Sequence, residues 1–361
     1  MIYRNLGNTD VKVSVACLGT MTFGEQNTEE EAFEQLDYFM SVGGNFVDTA
    51  EIYPVPPRKE TCGKTEEIIG RWMKSRGNRN QVFLATKVMG GGGDGRNFVV
   101  GNRSVPRDQN PPAARLSRDQ IHQAVNASLR RLQTDYIDLI QLHWPDRKMP
   151  KWGRNQYQIE EEDEAISFAE QVTAVHELIS QGIVRHWGLS NETSYGVCKM
   201  VEAATSLGVP LPVTIQNDYS FLDRRFDGEL AEACSYSKIG LLVYGGLAGG
   251  SLTDKYHDGS IVSSHARHRL FPGFQQRYHS ERSMQAARKY YEIAKSRQMS
   301  LASMSLAWCK SRWFVTSVII GATTMEQLKE NLAAFDIDCD DGLKKEIDQV
   351  HVQFRNPNVQ D

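Results

Sequence analysis

Four residues of this 361-residue chain carry the groups needed for proton transfer: Asp48, Tyr53, Lys87 and His143. They supply a carboxylate, a phenol, an amine and an imidazole, and each ends or follows a short apolar run. A free phenol has a pKa of about 10, and a neighbouring ammonium lowers that pKa by stabilising the phenolate. A carboxylate beside the amine keeps the amine charged in a closed site. These residue types therefore predict a site in which Tyr53 exchanges a proton with a substrate.

Each of the four residues also has an ordinary structural interpretation when it is considered alone. Asp48 would suit a turn or a helix cap, and Tyr53 would suit a partly buried aromatic position. Lys87 would suit an exposed strand end, and His143 would suit a hydrogen-bonded core histidine beside Trp144. Their recurrence at three successive strand ends favours one shared site over four unrelated positions.

The elements that must position these residues alternate along the chain. From Cys17 onwards a short apolar run is followed by an amphipathic helix pattern eight times, as in "NFVD" before "KTEEIIGRWMKS". Such alternation predicts a parallel sheet, and eight units predict closure into an α/β fold of the (β/α)8 TIM barrel type. The opening pattern "IYRNL" and "VKVSV" predicts a β-hairpin that closes the barrel floor. We expect one barrel domain over residues 1–361.

Helix and loop signals refine this interpretation. Thr28, with Glu31 three residues later, predicts the capped start of a helix that runs to about Val42, and Ser117 is a candidate cap for another helix. Two segments, Gly90 to Pro112 and Leu252 to Glu281, are too long for simple connections. Both follow strands, so we expect long loops on the C-terminal face, where barrel enzymes bind ligands.

Composition excludes several classes of protein. The formal net charge is -4, whereas a nucleic-acid-binding protein usually shows a basic excess. No run of 18 apolar residues is present, so no membrane-spanning helix is expected. Six cysteines occur without a CxxC pair, which favours reduced thiols and a cytoplasmic location. No metal site is expected, because only one histidine falls at a strand end.

Longer motifs in this chain resemble the aldo-keto reductase superfamily. They include "GTMTFG", "FVDTAEIY", "ATK", "YIDLIQLHWPD", "WGLSN", "IQNDYSFL" and "SVIIGATTMEQLKEN", in order along almost the whole chain. Within the superfamily the sequence looks closest to the bacterial Tas-like branch, which also resembles the potassium-channel β-subunits. The resemblance implies that Asp48, Tyr53, Lys87 and His143 form a catalytic tetrad. It also implies reduction of aldehydes or ketones, with Tyr53 as the acid.

No side chain can donate a hydride, so a cofactor must supply it. The chain has no GxGxxG after a strand, and "GGGG" at Gly90 to Gly93 is interpreted as loop. The resemblance instead implies NADPH/NADP+ on the barrel rim, with Tyr244 stacked on the nicotinamide. "YGGLAGGSLTDKY" resembles the family's pyrophosphate-covering segment, although Gly245, Gly246 and Asp254 depart from the usual residues. The positions that match cofactor-binding positions of the family are Gly19, Thr20, Met21, Asp48, Ser190, Asn191, Gln216, Tyr244, Gly245, Leu247, Gly250, Leu252, Lys255, Arg267, Gly321, Thr323, Gln327, Glu330 and Asn331.

The substrate is expected to be a small carbonyl compound, bound in a pocket lined by Phe23, Tyr53, His143 and Trp144. NADPH is favoured over NADH because Lys255 and Arg267 match positions suited to a 2′-phosphate. Two alternatives stay open: a cofactor-binding regulatory protein similar to channel β-subunits, and a Schiff-base aldolase that uses Lys87. The physiological substrate and the oligomeric state are not readable from the sequence.

Overall fold

The computed structural model describes residues 1–91, 96–159, 165–259 and 261–359, so Gly92 and Gly93 of the predicted loop lie outside it. Within these ranges eight parallel strands close into a barrel, which confirms the predicted (β/α)8 fold. The last strand pairs with the first, with Ile319 opposite Cys17. The barrel strands are β3 (Ala16–Gly19), β4 (Phe46–Asp48), β5 (Phe83–Val88), β6 (Ile137–Leu142), β7 (Val184–Ser190), β8 (Thr214–Asp218), β9 (Gly240–Tyr244) and β10 (Val315–Ile320).

The predicted N-terminal hairpin is present. Strands β1 (Tyr3–Asn5) and β2 (Lys12–Ser14) pair in antiparallel register, with Arg4 opposite Val13. Leu6 and Val13 are fully buried and pack against Phe46 and other residues at the N-terminal end of the barrel. The hairpin therefore closes the barrel floor and leaves the opposite end for ligands.

Helices follow the strands as predicted, because each presents an apolar stripe to the barrel. Thr28 forms the expected capping box with Glu31. Ser117 precedes its helix, but its side chain makes no capping hydrogen bond; the first helical N–H, of Arg118, donates instead to Glu170. The predicted helices are α1 (Glu29–Ser41), α2 (Lys64–Arg76), α4 (Arg118–Leu132), α5 (Phe168–Ser180), α6 (Ser194–Leu207), α7 (Glu229–Tyr236), α10 (Leu301–Ser311) and α11 (Met325–Ala333).

Four further α-helices of the described ranges were not predicted. Two short ones, α3 (Phe98–Gly101) and α8 (Arg267–Leu270), lie inside the two long segments of the C-terminal face. Two longer ones are α9 (Glu281–Ser296), capped by Ser280, and α12 (Asp341–Gln353) near the C-terminal end. The sequence interpretation assigned one helix to each strand, and so it overlooked α9, which precedes α10 in the same unit.

No helix in the described part of the chain is both long enough and apolar enough to cross a membrane.

Candidate active site

A cavity of about 830 Å³ opens at the C-terminal ends of the barrel strands. This size falls within the usual range for small-molecule pockets. Three of the four predicted catalytic residues line it, namely Asp48, Tyr53 and His143, and Lys87 lies fully buried directly behind them. The predicted cofactor positions that line the same cavity are Gly19, Thr20, Met21, Asp48, Ser190, Asn191, Gln216, Tyr244, Gly245, Leu247, Gly250, Lys255, Arg267, Gly321, Thr323, Gln327, Glu330 and Asn331.

Asp48 and Lys87 form a buried ion pair at the base of the cavity. Lys87 Nζ lies 2.6 Å from Asp48 Oδ2 and also donates to the carbonyl of Thr49 at 2.8 Å. The side chains of the two partners are 3% and 0% exposed. Burial lowers the pKa of Lys87, but the charges of Asp48 and Tyr53 raise it by more, so its pKa is raised overall. Lys87 is therefore an ammonium at neutral pH.

Two buried glutamines complete the hydrogen bonding of Asp48. Gln216 Nε2 donates to Asp48 Oδ1 at 2.9 Å, and Gln141 Nε2 donates to the same oxygen at 3.1 Å. Gln216 also donates to Gln141 Oε1 at 3.0 Å. These hydrogen bonds fix the orientation of the Asp48 carboxylate, whose other oxygen contacts Lys87. Gln141 was not predicted, although it lies near the end of β6, two residues before His143.

The phenol of Tyr53 is under two opposing influences. Lys87 Nζ lies 5.0 Å from the centroid of the Tyr53 ring. Burial raises the pKa of Tyr53, the Lys87 charge lowers it, and the result is a pKa above the ordinary value. The sequence interpretation gave the direction of the Lys87 effect correctly, but its expectation of a lowered pKa was wrong because burial outweighs that effect.

The imidazole of His143 is electrically neutral at neutral pH. Burial lowers its pKa well below the ordinary value, and the positive charges of Lys87 and Arg96 act in the same direction. Its Nδ1 is buried and has no hydrogen-bond partner among the residues that the structure describes. The ring of Tyr53 lies edge-on to it, with 6.0 Å between the ring centroids. A neutral imidazole beside a phenol can donate one hydrogen bond to a carbonyl oxygen without adding charge.

Two of the three residues that depart from the expected motif, Gly245 and Asp254, have structural reasons. Gly245 has a φ of 74°, and a Cβ there would lie 2.4 Å from Asp218 Oδ1 and 2.7 Å from the hydroxyl of Tyr278. Only glycine fits this position. Asp254 accepts a hydrogen bond from the first amide of α10, that of Leu301, at 2.8 Å. Asp254 thus ties the segment that begins at Gly245 to α10.

Two cations at another part of the cavity wall form no ion pair with a residue of the described ranges. Within the four described ranges neither Lys255 nor Arg267 forms an ion pair, although both line the cavity. Burial lowers the pKa of each, and the charge of Arg267 lowers that of Lys255 further. Two half-buried cations that form no ion pair make a site that would gain stability from a bound anion.

Besides Lys87, two predicted site residues do not line the cavity. Phe23 was expected in the substrate pocket, but it is fully buried in the main core. The chain turns after β3, where the N–H of Phe23 donates to Thr20 at 3.0 Å, and this turn directs the ring inward. Leu252 was expected to contact the cofactor, but its side chain is also fully buried in that core.

Several residues that line the cavity were not predicted. Arg96 and Trp152 come from the two loops that follow β5 and β6, and Arg277 comes from the segment before α9. Trp152 packs edge-on against Trp144, with ring centroids 6.0 Å apart. These residues lie in irregular segments, where no periodic pattern indicates which side chain faces the cavity. Among the residues described, no group of three His, Cys, Asp or Glu side chains could hold a metal ion.

Comparison with known proteins gives consistent results along the chain. A family model described as "Aldo/keto reductase family" matches residues 16–351. "Protein tas" of Escherichia coli (strain K12) is 40% identical over 357 residues, which cover 99% of each chain. An "Aldo-keto reductase" of Babesia bovis is 36% identical over 67% of this chain and 90% of its own. A "Probable voltage-gated potassium channel subunit beta" of Oryza sativa subsp. japonica is 30% identical over 93% of this chain and 92% of its own.

Proposed function

Because the chain belongs to the aldo/keto reductase family, a family of oxidoreductases, we propose that it reduces aldehydes or ketones to alcohols with NADPH. The observation that carries the proposal is the buried Lys87–Asp48 ion pair beside Tyr53, at the base of a cavity of about 830 Å³. A charged amine is costly to bury, and its placement beside a phenol at a cavity wall suits acid–base chemistry.

The proposed reaction needs a proton delivered to the carbonyl oxygen as the carbon is reduced. Bound NADPH would supply the hydride. Tyr53 is the proposed general acid, and it would act as the general base in the reverse oxidation. Lys87 opposes the effect of burial on the phenol and favours loss of its proton. His143, which is neutral, would orient the carbonyl and donate a hydrogen bond to the developing alkoxide.

The preference for NADPH over NADH is part of the proposal. It is supported by Lys255 and Arg267, the two cations that line the cavity without an ion-pair partner in the described residues. The 2′-phosphate that distinguishes NADPH from NADH carries the charge that such a pair would neutralise. The close approach of backbone at Gly245 and Gly250 would suit a pyrophosphate.

The two alternatives differ in how much support they receive. A Schiff-base aldolase needs a lysine with a lowered pKa, whereas the pKa of Lys87 is raised. This disfavours the aldolase. The plant relative named as a channel β-subunit keeps the second alternative open, namely a cofactor-binding protein with little turnover. A measurement of turnover distinguishes the proposed reductase from this regulatory alternative.

The substrate end of the cavity is formed by Tyr53, His143, Trp144 and Trp152. Aromatic walls of this kind suit apolar aldehydes or ketones, including aromatic ones. The six cysteines are free thiols, which is compatible with the proposed cytoplasmic location.

The proposal is tested with purified protein, a panel of aliphatic and aromatic carbonyl compounds, and either NADPH or NADH. Cofactor absorbance is followed, and cofactor affinity is measured separately by titration. We expect consumption of NADPH with at least one aldehyde, and a KM for NADH about 10-fold or more above that for NADPH, equivalent to about 1.4 kcal/mol. Tight binding of NADPH without turnover of any carbonyl compound would instead favour the regulatory alternative.

A further inference from the structure

Directly beside the predicted catalytic residues, Glu51 and Arg103 form a second buried ion pair. Arg103 comes from the long segment after β5, whose role the sequence left open. We propose that this pair positions Tyr53 for proton transfer, so that the segment around Arg103 is part of the catalytic scaffold. The inference rests on the proposed function, because it concerns the placement of the proposed acid.

The two side chains form a bidentate ion pair, and both are buried. Arg103 Nη2 lies 2.7 Å from Glu51 Oε1, and Arg103 Nε lies 2.9 Å from Glu51 Oε2. The two side chains are 2% and 1% exposed. Two parallel hydrogen bonds between a planar guanidinium and a carboxylate fix orientation as well as distance. Glu51 therefore has one available placement, which Arg103 defines.

Glu51 transmits this placement to the predicted catalytic residues through short lengths of chain. It lies three residues after Asp48 and two before Tyr53, inside a turn that the N–H of Tyr53 closes onto Ala50 at 3.0 Å. Its Oε1 also accepts the N–H of Met89 at 2.7 Å. Met89 is two residues after Lys87, so a single carboxylate joins the segments that carry three of the four residues.

Arg103 is itself held firmly at its other side. Its Nη1 donates to the side chain of Gln120 at 3.1 Å and to the carbonyl of the same residue at 3.3 Å. Its own carbonyl accepts a hydrogen bond from Arg130. Gln120 and Arg130 both belong to α4, so the guanidinium connects the Tyr53 turn to a barrel helix.

A comparable ion pair near the floor shows what such a pair does without a catalytic neighbour. Asp138 accepts the N–H of Leu84 at 3.0 Å and the guanidinium of Arg79 at 2.8 Å. Like Glu51, it is a buried carboxylate that accepts one amide near β5 and a guanidinium, although it also accepts a hydrogen bond from Arg185 at 2.9 Å. It lies at the N-terminal part of the strands, away from Tyr53, and so it provides a control.

The pair acts through position and not through charge. The pKa of Tyr53 responds to burial, Lys87 and Asp48. Loosening the Tyr53 turn should therefore lower kcat, whereas the apparent pKa of the alkaline limb of the pH–rate profile should stay unchanged. It should also speed hydrogen exchange of the backbone around Tyr53 in the cofactor-free protein.

The experiment compares Arg103→Gln with Asp138→Asn in the full chain. We expect Arg103→Gln to lower kcat about 30-fold or more, because a misplacement of about 1 Å can cost about 100-fold and the turn should shift by less than that. The affinity for NADPH should stay within about twofold, and exchange of peptide 49–62 should be faster. Asp138→Asn should lower the melting temperature without changing kcat or that exchange.

Four further outcomes decide the inference. If Arg103→Gln does not fold, the double variant Glu51→Gln/Arg103→Gln removes both charges, and it should show the same loss of kcat. Arg103→Lys should restore part of kcat. Unchanged kcat and unchanged exchange in a folded Arg103→Gln protein would overturn the inference while leaving the proposed function intact. Lack of turnover in the wild type would overturn both.

Discussion

The two ends of the barrel are built from the same strands but have opposite chemistry. At the floor, Phe46, Ala85, Leu139 and Leu242 pack with the hairpin residues into a dry apolar cluster. Two residues further along the same strands stand Asp48, Lys87, Gln141 and Tyr244, which are charged or polar. Side chains two residues apart on a strand lie on the same face. The inward face of each strand therefore changes from apolar to charged or polar over two residues.

The contrast between the ends shows how the protein tolerates a buried charge. Desolvating Lys87 and Asp48 is unfavourable, and the attraction within the pair offsets this only when the geometry is good. The floor cluster and the strand ladders supply a rigid frame that fixes this geometry. Packing at the floor therefore stabilises the fold, and this stability offsets the unfavourable burial of the charged groups at the rim.

The largest effect is expected from removing the buried cation at the rim. In Lys87→Met, Asp48 is left as an unpaired buried anion, which should cost about 3–5 kcal/mol in the free energy of unfolding. Turnover should fall about 10²- to 10⁴-fold because the phenol loses the charge that stabilises phenolate. Denaturant unfolding and steady-state kinetics measure the two effects.

The double variant Asp48→Asn/Lys87→Met is the control for this experiment. It removes both charges and should recover much of the lost stability but none of the activity. A single Lys87→Met variant that keeps wild-type turnover would contradict the distinction drawn between the two ends.

A smaller and purely structural effect is expected at the floor. Leu139→Ala removes a fully buried side chain from the floor cluster and should cost about 2–5 kcal/mol of stability. Because Leu139 belongs to the floor cluster and not to the rim, kcat of the folded protein should change little. A loss of kcat as large as that in Lys87→Met would show that the two ends are not separable.

The smallest effect concerns the pH dependence of stability. His143 is neutral in the folded protein, with a pKa well below the ordinary value of about 6.5. Unfolding therefore takes up a proton below about pH 6.5, and this contribution to stability is complete above that pH and declines as the pH falls. One such group contributes a slope of up to about 1.4 kcal/mol per pH unit. His143→Gln should remove that slope between about pH 6.5 and 5 in urea unfolding.

His186 provides the comparison at the other end, because it stacks on Phe83 near the start of β5. Burial lowers its pKa also, but less than that of His143. His186→Gln should therefore flatten the acid-side slope less. Equal slopes in wild type and His143→Gln would mean that His143 is not held neutral by its surroundings.

The sequence predicted the parts of the molecule that follow a local period. Alternation of strands and helices gave the barrel, and polar residues at strand ends gave the rim positions of Asp48, Lys87 and His143. The pairing of Glu51 with Arg103 could not be predicted, because they are 52 positions apart and neither lies in a repeated pattern. Phe23 was misplaced for a related reason: the turn at Thr20, and not the strand period, sets the direction of its ring.

The overall direction of the pKa shift of Tyr53 also could not be predicted from the sequence. Residue identity indicates that an ammonium lowers the pKa of a phenol, but only the packed structure shows how much water the phenol has lost. Burial proves to be the larger influence. The direction of a pairwise effect was predictable, and the balance between two opposing effects was not.

The most direct test of the account is single-turnover reduction by the Tyr53→Phe variant. The protein is loaded with NADPH, its affinity for the cofactor is measured, and an aldehyde that the wild type reduces is then added. We expect affinity within about twofold of the wild type and hydride transfer slowed at least about 100-fold, because only the proton donor has been removed. Reduction at the wild-type rate would show that Tyr53 is not the acid and would contradict the role assigned to the charged end of the barrel.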